Sequence, residues 1–224
     1  MPTLAELVER VSFLAAMPAV AGIFITLSVL VVSREWRLNI LALTVQYFFV
    51  VLLLTRLIRL ELAAVKGLIG WLVCLVFYLT ERRMSMIMEE EGAEKSDGEV
   101  PPGRLRRWMI SARASFHLLA AIVIAVAAYT AALRIPLPEV PGDITLACYL
   151  LASMGLLLIG LSESPIQVGF GLLSFITGFD LFYVGLEPSL AVAGLMGAVS
   201  FLIALVSAYL STAEVTAELE GETL

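Results

Sequence analysis

The chain of 224 residues is 60% apolar and only 15% charged, with a formal charge of −6, where a soluble domain has about 45–50% apolar and about 25% charged residues. A water-soluble fold of this length would leave much of that apolar surface wet, which excludes a soluble enzyme, a secreted disulfide scaffold and a nucleic-acid binder. The composition is that of a polytopic membrane protein.

The first ten residues carry Glu6, Glu9 and Arg10 in place of a basic run, and the apolar stretch behind them is long enough to span, so no cleavable signal peptide is expected. Uncharged or nearly uncharged runs then follow at Ser12–Ser33, Leu38–Thr55, Leu62–Thr80, Ala114–Leu133, Ile144–Ser162, Ser164–Leu186 and Pro188–Ala213. At 1.5 Å per residue each can cross about 30 Å of hydrocarbon, the second and fifth barely. Lipid forces each segment to satisfy its own backbone groups, so the expected class is all-α with about seven transmembrane helices.

Fourteen charged residues crowd into Glu81–Arg113. Arg82, Arg83, Lys95, Arg104, Arg106, Arg107 and Arg113 mark this loop as cytoplasmic by the positive-inside rule. Counting spans in both directions predicts the N-terminus outside and the C-terminus in the cytoplasm of a multi-pass cell-membrane protein. Arg56 and Arg59 then fall on the outer side, against the rule. Glu89–Gly103 has the charge, glycine and proline content of a disordered linker. Arg104–Ile110 (RLRRWMI) reads either as an ordinary basic flank or as a segment lying on an anionic lipid surface.

Ala64–Gly70 (AVKGLIG) and Ala191–Gly197 (AVAGLMG) agree at five of seven positions. Polar breaks at Arg34–Arg37 and Glu163–Gln167 recur at nearly the same offset. The division implied is a first three-helix repeat at 1–80, the charged loop at 81–113, a linker helix at 114–137, a second, parallel repeat at 138–213 and an acidic tail at 214–224. Chance similarity between small-residue membrane helices is the alternative.

Lys66 and Asp180 are the only Lys, Arg, Asp or Glu inside any predicted span. An intramembrane charge is a functional candidate by default. Asp180, with Thr177 one turn before it, suits proton or cation handling; otherwise it reaches the interface or accepts bonds from a neighbouring helix. Lys66 either snorkels to the headgroups or pairs with Asp180, since both should lie in the outer half of the membrane. Gln46 and Asn39 add polar groups for interhelical bonds, and His117 reads as interfacial. Gly171, Gly178, Gly194 and Gly197 suit close helix packing, against each other or against a partner. Cys74 and Cys148 sit in apolar runs and indicate neither a disulfide nor a thiolate site. No catalytic, metal-binding or cofactor motif is found, and the expectation is no cofactor.

With these residues in hand, the chain resembles the small K-type (NuoK-like) membrane subunit of respiratory complex I, and more closely its longer E-type relative in group-four membrane-bound hydrogenases. The likeness lies in the three-helix unit, linker and second three-helix unit, in Arg37–Leu38 followed by Gln46 and then Lys66, and in Gln167, Gly171 and Gly178–Leu181. Such subunits carry an acid in the second helix, where this chain has Gln46; in span six Ile176 takes the acid's place and Asp180 comes a turn later. The resemblance implies a non-catalytic spacer subunit of an ion-translocating oxidoreductase assembly, contacting membrane lipids and larger membrane subunits. It implies no enzymatic activity of the chain alone. A small independent transporter and an orphan membrane scaffold are the competing readings.

Overall fold

The computed structural model describes the backbone of residues 4–33, 35–94, 104–138, 140–186 and 189–222, and the side chains of residues 17–33, 35–86, 115–138, 140–186, 189, 191–214 and 216. It is an all-α membrane-type fold. Seven helices follow one another among the described residues: α1 Leu4–Val32, α2 Trp36–Leu57, α3 Leu60–Glu94, α4 Arg104–Arg134, α5 Gly142–Leu161, α6 Pro165–Leu186 and α7 Leu190–Glu222. Six are long and apolar enough to cross a membrane; in α1 the described apolar stretch, Met17–Val32, is shorter.

Local chemistry sets the breaks. Ile58 is extended, at φ −133° and ψ 167°, and parts α2 from α3. Pro141 precedes α5. Pro165 opens α6 at the position where its missing N–H costs nothing, and Ser164 Oγ accepts from Gln167 N at 3.4 Å, as an N-cap does.

The charged stretch departs from expectation. α3 continues to Glu94, well past Thr80 and into the predicted linker, and α4 begins at Arg104, ahead of Ala114. Methionine and glutamate are good helix formers, so a helix that leaves the hydrocarbon has no local reason to stop. What remains of the expected linker, residues 95–103, lies outside the described residues. The predicted acidic tail likewise continues α7 as far as Glu222.

The helices on either side of α4 lie in two rows of three. Within the rows α1 packs on α2 and α2 on α3, as α5 packs on α6 and α6 on α7. Across them α1 faces α5, α2 faces α6 and α3 faces α7, while α4 covers α5 and α1 at one end. The inner helices are α5 and α6, each with 50% of its span buried, against 11% for α4 and 22% for α7. Side chains such as Trp71, Leu119 and Leu202 therefore point outward, as they should where lipid is the solvent.

Within the second row α5 and α6 approach backbone to backbone. A Cβ at Gly171 would come within 2.8 Å of Gly155 O, and one at Gly178 within 3.0 Å of Cys148 O. Gly197 instead meets the tip of the Ile69 side chain on α3, at 2.6 Å from a Cβ. Gly194 meets no other helix of the chain: a Cβ there would meet nothing within 4 Å, because that face of α7 turns away from α3 and α6.

Candidate functional site

Lys66 lies six residues into α3 and Asp180 six residues before the end of α6, a depth of about 9 Å from the same end of the bundle at 1.5 Å per residue. Leu60–Glu61 starts α3 where α2 has just ended, which brings Lys66 level with the last turns of α2 and α6. Its Nζ bonds both carboxylate oxygens of Asp180. The side chains are 8% and 17% exposed, so Lys66 turns inward and does not snorkel.

The pair borders a partly open cavity of about 40 Å³ lined by α2, α3, α6 and α7. One water needs about 10–15 Å³ by the same measure, so the space suits two or three. Thr177 lines it, with Oγ1 donating to Leu173 O at 2.7 Å. Gly70 and Gly197, one from each AVxGLxG segment, form facing parts of the wall.

Tyr47 was not foreseen from the sequence. Its ring lies on Gly70, where a Cβ would come within 2.7 Å of Cδ1. Its hydroxyl is buried beside Thr177 without a well-formed hydrogen bond among the described residues, on the cavity wall it shares with Thr177 and Asp180. A buried orphan hydroxyl beside room for water is a place where water belongs. The signal available in the sequence was the adjacency to Gln46, since tyrosine in a span otherwise reads as an interface residue.

Gln46 does not reach the ion pair. Its Nε2 donates to Ser174 Oγ at 3.1 Å, between α2 and α6, and its Oε1 has no partner among the described residues. Ser174, Thr177 and Asp180 recur at three-residue steps along α6, a spacing that keeps them near one face. With Gln46 and Tyr47 opposite, they form a polar file between α2 and α6, the middle helices of the two rows, ending at Lys66–Asp180.

Elsewhere the polar contacts hold helices together. Arg56, at the end of α2, pairs with Asp143 at the start of α5. One of the two arginines that counted against the predicted orientation is thereby neutralised within the protein. His117 Nδ1 lies 3.0 Å from Val31 O and ties α4 to α1. Cys74 and Cys148 are free and buried. Among the described residues no cluster of three His, Cys, Asp or Glu side chains could hold a metal.

The chain matches no protein-family model, no curated protein and no solved structure. The site geometry therefore stands on its own. An acid and an ammonium sharing protons, with a buried hydroxyl and room for water beside them, can take up a proton, pass it on or exchange it. A purely mechanical link between α3 and α6 needs neither the hydroxyl nor the space.

Proposed function

We propose that this chain is a non-catalytic membrane subunit of an ion-translocating assembly of the complex I or membrane-bound hydrogenase kind, and that Lys66–Asp180 is its ion-handling element. The observation that carries the reading is the buried pair bordering a water-sized cavity with the orphan Tyr47 hydroxyl on its wall. Desolvating two charges costs several kcal/mol per ion, about as much as the pair regains, so stability alone is weak reason to keep it. The ion is then a proton, since room for two or three waters is too little for a hydrated metal cation and the Lys66 ammonium repels a bare one. The subunit sits with its N-terminus outside and its C-terminus in the cytoplasm, as the basic stretch before α4 implies.

The test is purification in mild detergent with mass identification of co-purifying chains, followed by proton uptake in vesicles carrying the assembly. Larger membrane subunits should co-purify, and Asp180→Asn should abolish the uptake that depends on them. Uptake unchanged in Asp180→Asn would overturn the ion-handling role. A small independent proton-coupled transporter is the second reading, favoured by the convergence of polar groups from α2, α3 and α6. It predicts uptake by vesicles containing this chain alone.

A further inference from the structure

A second polar feature lies at the opposite end of the bundle from the ion pair, on the outer surface where α2 begins and the transmembrane part of α3 ends. Trp36, Arg37, Leu41, Tyr78, Arg82 and Ser85 border a groove of about 650 Å³ between the two helices, within the roughly 300–1,000 Å³ of small-molecule clefts. The Trp36 and Tyr78 rings, 6.2 Å apart, bridge the helices. The Arg37 guanidinium lies 5.2 Å from the centre of the Trp36 ring.

Neither Arg37 nor Arg82 forms a salt bridge among the described residues, in contrast to Arg56 with Asp143 and Lys66 with Asp180. Two uncompensated guanidiniums therefore face one opening. Below them the groove turns apolar and opens outward: Leu41 is 61% exposed and Tyr78 42%. The cleft between α1, α4 and α5 offers only apolar walls with one tyrosine, and the one near Arg59 has its other arginine engaged by Asp143.

We infer that the α2–α3 groove is a binding site for an anionic phospholipid. The phosphodiester sits between Arg37 and Arg82, which can each donate two parallel hydrogen bonds to phosphate oxygens. Trp36 and Tyr78 hold the glycerol level, where amphipathic rings settle, and an acyl chain runs down over Leu41. A free inorganic anion would use the arginines but leave the apolar floor bare. A zwitterionic lipid would bring its own cation against them. The charge complementarity and the apolar floor together select an anionic lipid.

The test uses the full chain in vesicles of phosphatidylcholine containing a titrated fraction of phosphatidylglycerol, then native mass spectrometry of the lipids that stay bound. The wild-type chain should retain phosphatidylglycerol over phosphatidylcholine. At about fivefold per arginine near a membrane surface, Arg37→Gln or Arg82→Gln should weaken retention about fivefold and the double variant about 30-fold. Arg59→Gln, at the other end, should change nothing. Ser85→Asp, which places a negative charge in the groove without removing either arginine, should also weaken retention and serves if the double variant does not fold. Equal retention of the two lipids, or undiminished retention in the double variant or in Ser85→Asp, would overturn the assignment. Full displacement of the lipid by millimolar inorganic phosphate would show a simple anion site and overturn it equally.

Discussion

Gln46 on α2 and Ser174 on α6 are joined by a 3.1 Å hydrogen bond in the middle of the bundle. They are 128 positions apart, one more than the offset between Ala64 and Ala191 that begin the two AVxGLxG segments. Nearly matching positions of the two rows thus touch at the centre, as Gly197 and Ile69 do further along. The rows are held face to face by polar contacts as well as by shape.

That bond is open to a double-mutant cycle. Gln46→Leu, Ser174→Ala and the double variant, compared by thermal unfolding in detergent, should give a coupling of about 0.6 kcal/mol, the average for interhelical hydrogen bonds in membranes. A coupling indistinguishable from zero would mean that the bond does not hold the rows together.

Lys66→Met and Asp180→Asn should each lower the amount of folded protein in membranes sharply. Removing one partner of a buried pair costs about 3–5 kcal/mol. The double variant should fold better than either single one, because it leaves no buried charge uncompensated. Strictly additive losses would show that the two charges act independently.

The glycines should rank by what surrounds them. Gly178→Ala meets backbone of α5 and should cost about 1–3 kcal/mol in stability. Gly197→Ala meets only the mobile tip of Ile69 and should cost less. Gly194→Ala meets open space and should be neutral or stabilise by up to about 1 kcal/mol, since alanine is the better helix former. Unfolding midpoints of the three variants check the order.

Tyr47→Phe removes a buried hydroxyl that lies beside Thr177 and has no well-formed hydrogen bond among the described residues. The fold should change in stability by less than about 1 kcal/mol, because no partner is left unpaired. Proton uptake by the assembly should nevertheless slow if the hydroxyl holds cavity water beside Asp180. Unchanged uptake in the folded variant would remove Tyr47 from the ion-handling element.

The orientation is tested by a cysteine in place of Ser96, within residues 95–103, which lie outside the described structure. With the N-terminus outside, this cysteine should be protected from an impermeant thiol reagent in intact cells and labelled after lysis. Cys74 and Cys148 are buried, so background labelling should be low. Labelling from outside would reverse the orientation.

The sequence by itself determined that the protein is built of membrane-spanning helices, roughly where each lies, and that Lys66 and Asp180 are its notable intramembrane charges. Those properties are sums over local segments: the apolar content of about 20 successive residues decides whether a helix enters lipid, whatever the rest of the chain does. The reach of α3 to Glu94 was hidden because hydropathy marks where a helix leaves the membrane, not where it stops. Which helix faces which was decided only by the tertiary structure, because core-facing and lipid-facing surfaces are both apolar and hydropathy does not tell them apart. For the same reason Gly178 and Gly194 look alike in sequence yet meet backbone in one case and open space in the other. The pairing of Lys66 with Asp180, the seclusion of Tyr47 and the cavity beside them exist only once α2, α3, α6 and α7 converge, since each draws part of its surroundings from residues more than a hundred positions away.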